Sequence, residues 1–104
     1  MRLLRAQLKM ANVVVTIKVT SESPDTDLRK LELELSKKIL SFIKKDDPNF
    51  VKCETKPFAF GLYNLELMFV MDEALGSTEP LEEQLGETEG AQGVEVTDVR
   101  RMLG

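Results

Sequence analysis

Histidine is absent from this chain of 104 residues, and cysteine occurs once. The first absence removes Ser-His and Cys-His nucleophiles, imidazole-ligated zinc and histidine acid–base catalysis. The second excludes a disulfide within the chain and a metal site built from cysteines alone. Cys53 falls in an apolar–polar alternation, where packing accounts for it better than chemistry does. No apolar run approaches the roughly 20 residues that a membrane-spanning helix needs. No secretory signal is evident, and the composition suits a reducing compartment, the cytoplasm.

Positive charge is short as well. Lys and Arg number 14 against 18 Asp and Glu, for a formal net charge of −4. Every charged residue from Asp72 to Asp98 is an acid. Nucleic acid would be repelled from that side of the molecule, and the clustered cations on which phosphate binding rests are missing. The acidic run reads as a solvated helix face or, alternatively, as a surface that meets a basic partner. Lys37, Lys38, Lys44 and Lys45 form the one basic cluster, again a solvated helix face.

What the chain does contain is a regular succession of periodicities. NVVVTIKVT, Asn12 to Thr20, is dense in β-branched residues and predicts a strand. SESPDTD supplies turn chemistry, with an Asp or Thr to cap the following helix. Leu28, Leu31, Leu35, Ile39 and Phe42 recur at helical spacing. Acids are expected early and lysines late in that helix, as its macrodipole favours, with DDPN at Asp46 to Asn49 as the stop. Phe50 to Pro57 predicts a second strand, and Pro57 places it at an edge or at its end. A third strand follows Gly61, carrying LELMFVM. GSTEP starts a second helix with Ser77 or Thr78 as cap, Leu81 and Leu85 face inward, and Gly86 and Gly90 weaken its end. VEVTDVRRML gives a fourth strand through Val94, Val96 and Val99.

This order, β-α-β-β-α-β, predicts an α+β fold of the ferredoxin-like kind: a four-stranded antiparallel sheet with both helices on one face. One domain covers residues 10–104. Residues 1–9, MRLLRAQLK, read as an extension, because MANVVVTIKV restarts the pattern at Met10.

The inventory is not that of an enzyme. GETEGAQG lacks the Gly-Lys-Ser/Thr ending of a phosphate loop and does not follow a strand. Glu82 and Glu83 are adjacent and point to different parts of a helix, which is poor geometry for an acid–base pair. Asp72 and Glu73 could hold a cation weakly, but nothing completes a site, so no metal and no cofactor is expected.

One stretch stands out: KPFAFGLY, Lys56 to Tyr63. It overlaps the RNA-binding octamer K/R-G-F/Y-G/A-F-V-x-F/Y at Lys56, Phe58, Ala59, Phe60 and Tyr63. The match fails at Pro57 and Gly61, which would interrupt the strand that must hold the rings flat. The first strand also lacks the aromatic partner such a platform needs.

PFAFGLYNLELMFVMDE, then LEEQL, then VEVTDVRRML, resembles the guanine nucleotide exchange domain of the elongation factor 1-beta family, most closely its short archaeal form. The resemblance runs from about Met10 to Leu103. It is carried by P-x-x-F-G-[LI]-x-x-L at Pro57, Phe60, Gly61, Leu62 and Leu65, by the acidic end of the third strand, and by T-D-V-x-x-M from Thr97 to Met102. It implies the same ferredoxin-like fold, with exchange of GDP for GTP on elongation factor 1-alpha. The mechanism it implies is binding and stabilisation of the nucleotide-free GTPase, without covalent chemistry.

The resemblance also implies that Phe60 docks in an apolar pocket of that GTPase, with Phe58, Gly61, Leu62 and Tyr63 around it. Gly61 is expected to turn the chain and aim Phe60 outward, while Phe58 shares its face if the strand persists. The C-terminal end, with Asp98, Arg100 and Arg101, is expected near the nucleotide. The Lys that acts there in eukaryotic relatives would fall at Gly104 and is absent, leaving Arg100 and Arg101 as the nearest cations. Tyr63 and Asn64 stand where relatives commonly have lysines. No nucleic acid or membrane partner is expected. The alternatives are a small regulatory domain of this fold that binds a metabolite, or an RNA-binding domain.

Overall fold

A computed structural model of the chain describes residues 12–102; residues 1–9 and Gly104 lie outside the described residues. Strand β1 (Asn12–Ser21) alternates as its β-branched sequence requires, burying Val15, Ile17, Val19 and Ser21 on one face. Helix α1 (Leu28–Ile43) begins where Asp27 accepts the Lys30 N–H. Strand β2 (Val51–Pro57) and strand β3 (Tyr63–Asp72) form a hairpin. Helix α2 (Glu79–Gly86) and strand β4 (Ala91–Met102) complete the chain.

The sheet order is β2-β3-β1-β4 with every pairing antiparallel, the ferredoxin-like arrangement that the element order predicts. Leu65, Leu67, Phe69 and Met71 of β3 share the buried face with β1. Leu31, Leu35, Ile39 and Ile43 of α1, and Leu81 and Leu85 of α2, close over it. Burying each of these large side chains contributes about 1.5–3 kcal/mol, which offsets the entropy lost in fixing two short helices on a sheet. Among the described residues no helix lies on the opposite sheet face.

Four sequence expectations need correction. Ile43 takes the last core position of α1, because the buried stripe runs at strict i+4 steps, and Phe42 is only partly buried. Neither acids in the first turn nor bases in the last turn complement the dipole of α1: Arg29 and Lys30 lie at its start. DDPN does not stop the helix. Lys44 does, in a left-handed conformation (φ 61°) whose N–H reaches back to Leu40 and Ser41. Pro48–Phe50 then form a short 3₁₀ turn of their own, capped by Asp47, whose side chain accepts the Asn49 N–H. Finally, β4 starts at Ala91 and carries a bulge: Asp98 pairs with Thr16 and Val96 with Ile17, leaving Thr97 as the extra residue. Val99 lies beyond that bulge and is exposed.

The lysines do not act as one face. Lys38 Nζ donates to the Gln84 carbonyl at 2.9 Å and to Thr88 Oγ1 at 2.8 Å, joining α1 to α2. Lys45 sits over the Phe50 ring, 5.1 Å from its centroid.

Candidate functional site: an aromatic corner and a charged strand end

Pro57 ends β2, which is an edge strand, as the missing N–H of proline requires. The strand does not persist through Phe58. A 3₁₀ turn over Ala59–Gly61 follows, with the Phe58 N–H donating to the Leu62 carbonyl at 2.8 Å and the Leu62 N–H to the Ala59 carbonyl at 3.2 Å. Phe60 (φ 62°, ψ 28°) and Gly61 (φ 77°) are both left-handed. Two such residues in succession reverse the chain, so Phe60 is thrown out of the sheet and is 91% exposed, against 50% for Phe58. The two rings therefore do not lie on a strand face as sequence alternation suggested.

The corner is supported from below. The buried Ser21 Oγ accepts the Tyr63 N–H at 2.9 Å, and Thr20 Oγ1 donates to Asn64 Oδ1 at 2.8 Å. A Cβ at Gly61 would lie 3.4 Å from Pro24 Cβ, so the corner abuts the loop between β1 and α1. Sequence reading did not find Ser21 or Pro24. A lone serine closing a β-branched strand was the only signal.

Asp98, Arg100 and Arg101 lie elsewhere. Strand β1 pairs Thr20 with Asn64 at the aromatic end and Asn12 with Asp72 and Met102 at the other. The eight residue steps from Thr20 to Asn12 span about 26 Å at roughly 3.3 Å each. The sequence-predicted residues therefore form two groups: Phe58, Phe60, Gly61, Leu62 and Tyr63 at one end of the sheet, and Arg100 and Arg101 toward the other, with Asp98 beside them opposite Thr16 at mid-strand. In the second group Arg100 Nε pairs with Asp98 Oδ2 at 2.9 Å. Arg101 meets Glu73 with two bonds, Nε to Oε2 at 2.8 Å and Nη2 to Oε1 at 2.9 Å.

Asp72 and Glu73, considered from sequence as weak cation ligands, both have internal tasks. Asp72 Oδ1 accepts the Ala74 N–H at 2.8 Å, and Glu73 holds Arg101. Among the described residues no group of three His, Cys, Asp or Glu side chains is placed to hold a metal ion. The Cys53 thiol is pushed up to about 12, first by burial and then by the Glu32 carboxylate, which both repels a thiolate and hydrogen-bonds the thiol. This fits the packing role expected from its place in the strand.

The EF-1 guanine nucleotide exchange domain family matches residues 14–102. A protein named elongation factor 1-beta from Methanothermobacter thermautotrophicus is 44% identical over 94 residues, which is 90% of this chain and all of that one. Proteins of the same name from Methanosphaera stadtmanae and Methanobrevibacter smithii are 39% and 36% identical over the same shares.

Proposed function

Because this chain belongs to the EF-1 guanine nucleotide exchange domain family, we propose that it acts on elongation factor 1-alpha through both ends of its sheet. Guanine nucleotide exchange is the activity of the family. The two-ended contact is the mechanism this fold supports. Phe60 anchors one end in an apolar pocket of the GTPase, and the arginines of β4, opposite Val14 and Val13, act about 20–23 Å further along β1 from Thr20, near the bound nucleotide.

The observation that carries this reading is the conformation of Phe60. A bulky residue at φ 62° stores about 1–2 kcal/mol of strain, and among the described residues little packing compensates for it, since the ring is 91% exposed. A rigid corner that holds an aromatic ring in water is suited to insertion into a partner, where one buried ring can contribute 2 kcal/mol or more. The same geometry removes the stacking platform that RNA binding would need, because neither ring lies flat on a strand.

Exchange needs no bond-making side chain. A factor that binds the nucleotide-free GTPase more tightly than the GDP form weakens GDP by the same factor, through linkage. Equal affinity for the two forms would shift nothing, so the second end must meet groups that hold the phosphates or their magnesium. Docking by Phe60 supplies affinity, and the far end supplies the difference between states.

The test is release of fluorescent GDP from elongation factor 1-alpha. Micromolar protein accelerates release, and Phe60→Ala raises the half-saturating concentration at least 10-fold. Release at the spontaneous rate in the presence of the unaltered protein would overturn the reading.

A further inference from the structure

We propose that Glu73 is a positioning residue for exchange: through Arg101 it fixes the C-terminal end of β4 and so leaves Arg100 as the cation presented to the GTPase. This rests on the exchange reading above and divides the roles of two adjacent arginines.

Among the described residues β4 is an edge strand, hydrogen-bonded to β1 alone, and its last pairings are Val13 with Arg101 and Asn12 with Met102. A strand end with one neighbour frays readily unless a side chain ties it down. Arg101 shares the helix-side face with Val13, whose partner on the other side is Met71 of β3. Its guanidinium meets the Glu73 carboxylate just beyond the end of β3, through the two bonds already described. Two parallel bonds fix the plane and direction of a guanidinium, as a single contact does not.

Glu73 is itself held. It opens the 3₁₀ turn over Glu73–Leu75, in which Asp72 Oδ1 accepts the Ala74 N–H and the Glu73 carbonyl accepts the Gly76 N–H at 3.1 Å. The clamp therefore joins the end of β4 to the end of β3 across β1.

Strand alternation sends Arg100 to the opposite face, on which no helix lies among the described residues. Its side chain is 78% exposed against 60% for Arg101, and its single-bond ion pair is with Asp98, two residues back on the same strand and the same face. An exposed pair within one strand has little net worth, so a phosphate or carboxylate of a partner can take the guanidinium at small cost. Recruiting Arg101 instead would break a two-bond clamp and release the strand end. The structure thus gives the two arginines different tasks, although the sequence presents them as equals.

The experiment measures GDP release from elongation factor 1-alpha against exchange-factor concentration, separating the half-saturating concentration from the limiting rate. Glu73→Gln and Arg101→Gln each lower the limiting rate several-fold and leave half-saturation within about twofold, because docking by Phe60 is distant. The double variant is no slower than the slower single variant. The reversed pair, Glu73→Arg with Arg101→Glu, recovers most of the rate, and Arg100→Gln loses at least as much as Arg101→Gln. Thermal melts accompany each variant, and the reversed pair controls for any loss of folding in the single ones. A wild-type rate for Glu73→Gln, multiplying losses in the double variant, or no recovery on reversal overturns the proposal. An unaltered protein that releases no GDP overturns the exchange reading itself.

Discussion

The Phe58 N–H donates to the Leu62 carbonyl at 2.8 Å and closes the base of the corner that carries Phe60. The corner's shape thus depends on its backbone and on Gly61 rather than on the Phe60 ring. Removing that ring should change binding and leave the fold intact.

Phe60→Gly is expected to melt within a few degrees of the unaltered protein. Relief of about 1–2 kcal/mol of left-handed strain is offset by glycine's greater freedom in the unfolded chain. Gly61→Ala runs the other way. At φ 77°, with Pro24 Cβ 3.4 Å from the new methyl, it should cost about 1–2 kcal/mol. Urea denaturation compares the two, and a more stable Gly61→Ala would contradict the account of this turn.

Ser21→Ala should cost about 1 kcal/mol, because the Tyr63 N–H loses its acceptor at a part-buried site. The loss should appear in urea melts together with faster hydrogen exchange at the Tyr63 amide. Unchanged protection at that amide would mean that another acceptor serves it.

Cys53 sets a pH dependence in the alkaline range. Its folded pKa, pushed up to about 12, lies above the ordinary thiol value of 9.0. The unfolded thiol therefore ionises first as pH rises, and the unfolded state gains stability relative to the folded one. This contribution is fully retained below pH 9 and declines between about 9 and about 12. At pH 8 the folded protein should react with a disulfide reagent far more slowly than protein unfolded in urea. Equal rates would place the thiol in water.

Much of the fold was legible because each element carries its own period. β-Branched alternation marked β1, i+4 leucines marked α1, and Pro57 marked the end of the edge strand. The misreadings fell where local sequence signals compete. Pro48 is the stronger helix breaker on paper, yet Lys44 ends α1 four residues earlier, once Ile43 has filled its place over the core. The bulge at Thr97 has no sequence mark, because it comes from the register between two strands rather than from either alone.

The aromatic corner was half legible. Gly61 after Phe60 announced a turn, but sequence could not show that Phe60 itself would adopt the left-handed conformation and leave Phe58 behind. Sequence assigned Phe60 and the two arginines separate contacts on the GTPase but no distance between them. Antiparallel pairing puts them toward opposite ends of the sheet, since the β2–β3 corner and the end of β4 meet opposite ends of β1.

The sequence by itself determined the order of elements, the buried faces and the family, because periodicity and motif are properties of residues near one another along the chain. Only the tertiary structure decided that Glu73 would hold Arg101 and leave Arg100 facing water. That choice depends on which strand ends lie side by side, and nothing in the local sequence specifies a contact 28 residues away.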